Sequence, residues 1–159
     1  MASRIQYDSA TMPEASELRR FYDRQHHATT NSEEKLQAMM SRTFCLVTAR
    51  KEGEIIGLAR GVTDGLRGQL VECKLDPAFQ GPACVTHTDG RIEHDSAGIA
   101  REMALRVIDA FRRAGVERVD VMAYGTEVDF CEELGFKRTP GVVALQLNPA
   151  DAPTPSSPE

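Results

Sequence analysis

The chemistry-bearing residues of this chain gather around one interrupted stretch. "LDPAFQG", residues 75–81, ends an apolar run and opens a turn. "AGIAREMALRVIDAFRRAG", residues 97–115, begins with small residues and continues at helical spacing. Ala97, Gly98, Ile99 and Ala100 would form the start of that helix, with Arg101 beside it. A helix start presents unpaired backbone N–H groups and the positive end of the helix dipole, so it suits an anion such as a phosphate. Small residues there let a ligand approach the backbone closely. Between the two halves stands "PACVTHTDGRIEHDS", residues 82–96. Its Asp89-Gly90 pair, flanked by alternating residues, predicts a two-residue hairpin. His87, Asp89, Glu93 and His94 are metal-ligating types, but their spacing matches no familiar site, and no metal is expected. The four cysteines, Cys45, Cys73, Cys84 and Cys131, contain no CxxC pair, which argues against a zinc site or a disulfide framework.

The elements that would position these residues follow from periodicity. "RIQYDSA" predicts a short first strand. "MPEASELRRFYDRQHH" predicts a helix with Pro13 in its first turn and Leu18, Phe21 and Tyr22 on one face. "NSEEKLQAMMSR" predicts a second helix capped by Asn31 with Glu34 three residues on, and a core stripe of Leu36, Met39 and Met40. "TFCLVTAR", "EIIGLARGVTD" and "GQLVECKLD" predict an antiparallel meander. From Gly98 the apolar residues Ile99, Met103, Val107 and Phe111 recur every four, and Gly115 supplies a left-handed stop. "VERVDVMA" predicts a strand, "TEVDFCEELG" a short helix, and "GVVALQL" a final strand. One domain over residues 1–147 is expected, carrying the hairpin at 82–96. The tail 148–159, with four prolines in twelve residues, is expected to be disordered.

Composition sets the broad class. The chain has 159 residues, enough for one core; 41% are hydrophobic and 27% charged, as in soluble globular domains. A net charge of −5 without a basic run argues against a nucleic-acid partner. No apolar run approaches the length of a membrane span, and "MASRIQYDSA" lacks the apolar centre of a signal peptide, so a cytoplasmic protein is expected.

The order of elements, with the landmarks "EIIGLARGVTDG", "LDPAFQG", "AGIA", "AFRRAGVERVDVMA" and "FCEELGFKRTPGVVALQL", resembles the GNAT superfamily of acyl-CoA-dependent N-acyltransferases over about residues 4–147. The resemblance implies an α/β (α+β) fold: a central mixed, mostly antiparallel sheet with a splayed strand pair, flanked by helices. It implies acetyl-CoA as cosubstrate, and transfer of an acetyl or other short acyl group to the amine of a small molecule or peptide. Backbone groups of Cys73, Lys74 and Leu75 would pair with the pantetheine arm like an added strand. Ala97, Gly98, Ile99, Ala100 and Arg101 would surround the pyrophosphate. Amine acylation needs a proton acceptor, and Glu72 on the central strand is the candidate base. The family's thiolate-protonating tyrosine is replaced here by Cys131, and Tyr124 offers a phenol from another direction. The sequence departs from the family where residues 82–96 split the Gln/Arg-x-x-Gly-x-Gly/Ala signature, and Asp95 stands where Gln or Arg is usual. Two other readings stay open: a different reaction on the same fold, and a non-catalytic binding protein. A homodimer is also left open, and Asp23, His26 and His27 are candidates for the acceptor side.

Overall fold

The computed structural model describes residues 4–25, 31–79, 97–123, 125 and 127–156. The hairpin expected at 82–96, Tyr124, Cys84, His26 and His27 lie outside the described residues.

Among the described residues five strands form one sheet: β1 (Gln6–Asp8), β2 (Cys45–Lys51), β3 (Glu54–Thr63), β4 (Arg67–Leu75) and β5 (Arg118–Val121), in spatial order β1-β2-β3-β4-β5. The first three pairings are antiparallel and β4–β5 is parallel, so the sheet is mixed. Helices α1 (Ala15–Asp23) and α2 (Glu33–Arg42) precede β2; α3 (Ile99–Arg113) lies between β4 and β5; α4 (Glu127–Glu133) follows β5. Among the described residues, no helix is long and apolar enough to cross a membrane.

Each face of the sheet carries its own core. On one face α3 lays Ile99, Ala100, Met103, Ala104, Val107 and Phe111 against Val47, Ala49, Ala59, Leu70 and Leu75. The four-residue spacing read from the sequence is the reason this helix buries a single stripe. On the other face Leu18, Phe21, Leu36 and Met40 of α1 and α2 cover Leu46, Ile55 and Leu58. Each such side chain, fully buried, contributes about 1.5–3 kcal/mol.

Helix ends differ slightly from expectation. α2 is capped by Ser32, one residue later than Asn31, because its Oγ accepts from the Lys35 amide at 3.2 Å. Pro13 is buried just before α1 rather than in its first turn; the Glu14 amide there donates to the Glu17 carboxylate at 3.0 Å.

The expected final strand is not formed. Residues 141–147 belong to no strand and are exposed. The chain leaves α4 through a turn in which the Val142 amide donates to the Thr139 carbonyl, and Gly141 adopts φ +81°. Beyond it, Pro149–Asp151 form one exposed 3-10 turn capped by Asn148.

Candidate functional site

The site is built where β4 outruns β5. Their parallel ladder pairs Arg67 to Leu70 with Arg118 to Val121 and stops there, while β4 continues to Leu75. The two strands therefore part after Leu70, as the splayed pair that the resemblance implies would.

A bulge lies at the same point. Arg60 pairs with Glu72 but Gly61 pairs with Leu70, so Val71 is an extra residue in β4. A bulge re-aims the side chains that follow it. By simple alternation Leu70, Glu72 and Lys74 would share a face. Instead Leu70, Cys73 and Leu75 join the α3 core, and Glu72 is turned toward α1.

There Glu72 is held by two donors on one oxygen. The Tyr22 hydroxyl of α1 donates to Oε1, and Arg60 Nε of β3 donates to the same Oε1 at 2.9 Å. Oε2 lies 4.0 Å from Lys74 Nζ, which itself sits 5.5 Å from the centre of the Tyr22 ring. The Glu72 and Arg60 side chains are 14% and 18% exposed, so the pair is shielded yet reachable. Burial, and then the Glu72 charge, push the Tyr22 hydroxyl well above its ordinary value, which keeps it protonated and donating. The sequence singled out Glu72 but missed Arg60 as its partner, because the cross-strand register depends on the bulge. Tyr22 had been visible only as a stripe residue four positions after Leu18.

A second polar pin closes the end of β4. Arg24 Nε donates to buried Asp76 at 2.7 Å, and its Nη2 donates to the Ile55 carbonyl at 2.7 Å. The Asp76 carboxylate also caps the turn at Pro77–Phe79 by accepting from the Ala78 amide at 3.0 Å.

The start of α3 stands against this strand end. Cys73 Sγ lies 3.6 Å from the Ala100 carbonyl oxygen, within reach of a weak hydrogen bond, so β4 beyond the splay and the first turn of α3 are neighbours. Gly98 caps α3 with φ +71°, a left-handed conformation that favours glycine, and a Cβ built on it would meet nothing within 4 Å. Among the described residues no side chain caps this end. Ile99 and Ala100 are buried under the sheet, whereas Ala97 and Arg101 are exposed. The backbone N–H groups of this turn could accordingly meet an anion.

Cys131 stands elsewhere. It lines a cavity of about 560 Å³ with Val121, Met122, Val128, Phe136 and Val142, and Glu72 is not part of that lining. Burial, with a smaller push from Glu127, raises its thiol to about 11, so it stays protonated at neutral pH. Among the described residues no group of His, Cys, Asp and Glu could hold a metal ion.

Comparison with solved structures places the architecture. A GNAT-family acetyltransferase from Streptococcus pneumoniae superposes with a TM-score of 0.68 at 17% identity, covering 92% of this chain and 99% of that one. The fold is that of the GNAT acetyltransferases. An aminoglycoside acetyltransferase from an uncultured soil metagenomic sample gives 0.66 at 14% identity, covering 91% of this chain and 95% of its own. A ribosomal-protein-alanine N-acetyltransferase from Escherichia coli gives 0.63 at 17% identity, with 86% and 79% covered. No protein-family model and no curated protein sequence matches the chain.

Proposed function

We propose that this GNAT-fold chain is an N-acyltransferase that moves an acetyl group from acetyl-CoA to the amine of a small molecule or peptide. The observation that carries the reading is the Tyr22–Glu72–Arg60 cluster at the β4–β5 splay, on the strand whose Cys73 reaches the first turn of α3. Acetyl-CoA would supply an activated thioester, and the protein would supply position and a proton acceptor. The pantetheine arm would run along β4 at Cys73, Lys74 and Leu75. Its pyrophosphate would meet the backbone of Ala97 to Arg101, where the open approach at Gly98 supports close contact.

In this mechanism Glu72 is the base. Two donors hold Oε1, so Oε2 takes the amine proton, directly or through one water. The nitrogen then attacks the thioester carbon, and collapse of the adduct breaks the carbon–sulfur bond. The thiolate recovers a proton at the end of the cycle; Cys131 and Tyr124 remain candidates for that step. The neighbours' names cover an aminoglycoside and a ribosomal protein, so a small-molecule or peptide amine is the acceptor class retained here.

Calorimetric titration with coenzyme A and acetyl-CoA tests the proposal. Wild type should bind both. Gly98→Glu should bind about tenfold more weakly, since it adds bulk and negative charge where the pyrophosphate would sit. Gly98→Ala, which introduces only the backbone strain, is the control. Absence of heat with either ligand would sink the acyltransferase reading. Binding without thiol release over a panel of amines would favour a non-catalytic ligand-binding protein.

A further inference from the structure

Lys74 brings an amine of the chain's own to the base that the proposed reaction uses. Beyond the bulge at Val71, β4 resumes its alternation, so Glu72 and Lys74 turn to the α1 side while Cys73 reaches the first turn of α3. Tyr22 and Arg60 both donate to Oε1 of Glu72, and Oε2 faces Lys74 Nζ at 4.0 Å. The same Nζ stands 5.5 Å from the centre of the Tyr22 ring. The Lys74 and Glu72 side chains are 26% and 14% exposed, so amine and carboxylate meet in partial shelter from solvent. The other lysines stand on other elements. Lys35 is exposed on α2, Lys137 is exposed past α4, and Lys51 ends β2 over the Phe79 ring. Acyl transfer needs an amine, a base within its reach and a bound thioester. The first two are in place here before any acceptor arrives, and the pantetheine arm proposed along β4 would pass the backbone of Lys74 itself.

We propose that Lys74 is a self-acetylation site: in the chain loaded with acetyl-CoA and lacking an external acceptor, Nζ takes the acetyl group. The inference rests on the acyltransferase reading and adds to it an acceptor that the molecule carries within itself. One Nζ proton passes to Glu72 Oε2, after a small swing of the flexible lysine stem or through one water. The nitrogen lone pair then forms the amide bond to the thioester carbon, and the carbon–sulfur bond breaks with its electron pair to expel the thiolate. That thiolate takes the second proton the nitrogen gives up, and Glu72 returns the first to solvent. The acetylated side chain is uncharged, so the cation beside Glu72 and over Tyr22 is lost.

Intact-mass and peptide mass spectrometry of the full chain, incubated with acetyl-CoA and no amine, tests this. The chain should gain one acetyl group, and Lys74 should react at least about tenfold faster than Lys35, Lys51 or Lys137, as an amine held beside its base does. The rate should not depend on protein concentration. Excess coenzyme A should suppress the reaction at Lys74 and leave the exposed lysines unchanged. Acetic anhydride, which needs no binding site, should reverse the order, because Lys35 and Lys137 are exposed. Glu72→Gln should slow the reaction at Lys74 by about a hundredfold, as loss of a general base does. Should that variant fail to fold, Lys74→Arg keeps the charge over Tyr22 and should lower total incorporation to that of the exposed lysines. A chain that binds coenzyme A in calorimetry yet acetylates Lys74 no faster than Lys35 would overturn the self-acetylation and leave the acyltransferase reading standing. A chain that binds neither coenzyme A nor acetyl-CoA would remove both. A rate that rises with protein concentration would also overturn the proposal, since one molecule would then be modifying another.

Discussion

Tyr22 ties the first helix to the central strand through one hydrogen bond, and that bond has a measurable signature. Tyr22→Phe keeps the ring and removes only the donor to Glu72. A hydrogen bond to a charged group contributes about 1.5–3 kcal/mol, so the variant should lose stability within that range at pH 8. The hydroxyl's raised pKa fixes the sign of the pH dependence. Below the ordinary tyrosine value near 10, folded and unfolded chains are both protonated and the contribution is complete. Above it the unfolded chain releases a proton that the folded one retains, so stability falls as pH rises. The gap between wild type and Tyr22→Phe in denaturant unfolding should therefore narrow between pH 8 and pH 11. On the proposed mechanism kcat should fall about tenfold while the KM for acetyl-CoA stays unchanged, because the change frees the base without touching the coenzyme site. Much of this residue-scale site was illegible in the sequence. Glu72 stood out as the one carboxylate on the central strand, but alternation gave no hint that Val71 is a bulge, and the partnership with Arg60 follows only from the shifted register.

At the scale of elements, α3 and the meander were legible because long periodic runs admit one face each. The bulges at Ile56 and Val71 were not, since one extra residue leaves composition and spacing unchanged. Close approach of α3 to the sheet is also carried by residues whose role shows only in three dimensions. A Cβ on Gly61 would lie 2.5 Å from Phe111 Cζ, and one on Gly68 would lie 2.8 Å from its Cε1. Phe111 is further confined by stacking on Phe44, with centroids 5.5 Å apart. Gly61→Ala should therefore cost about 1–3 kcal/mol by overpacking, and Phe111→Leu should partly rescue it in the double mutant. Thermal unfolding of the four proteins in this cycle checks the coupling. On the opposite face Arg50 of β2 grips both oxygens of Glu17 in α1, at 2.8 and 3.1 Å. That hydrogen bonding holds the Glu17 carboxyl below its ordinary value of 4.5. Glu17→Gln should cost about 1–2 kcal/mol at pH 7. Because the folded pKa is depressed, the contribution is present above pH 4.5 and is lost as pH falls through the folded value. Wild type and variant should converge in acid, and unfolding at pH 7 against pH 3 measures it.

Across the whole molecule the sheet separates two kinds of work. Its α3 face is an apolar core, whereas its α1–α2 face carries the Arg24–Asp76 pin and the Tyr22–Glu72–Arg60 cluster. At the splay one strand serves both faces: Cys73 reaches the Ala100 carbonyl in the first turn of α3, while its neighbour Glu72 is held by Tyr22 and Arg60 on the other side. The final run "GVVALQL" looked like a strand because its residues favour one, yet strand formation depends on a partner as much as on propensity. The tail beyond it differs in kind. Residues 148–156 are polar or proline-rich and almost wholly exposed, with a single capped turn, so they bury too little to offset the entropy of ordering. Truncation after Leu147 should lower the melting temperature by less than about 2 °C, since 1 kcal/mol corresponds to roughly 2–8 °C for domains spanning this size. Extending the truncation to Pro140 removes Val142 and Ala144 from the wall of the cavity beside Cys131. That variant should melt lower than the first, and its Cys131 should react faster with a thiol reagent. Equal melting temperatures and equal labelling rates would mean that residues 141–147 contribute nothing to the core.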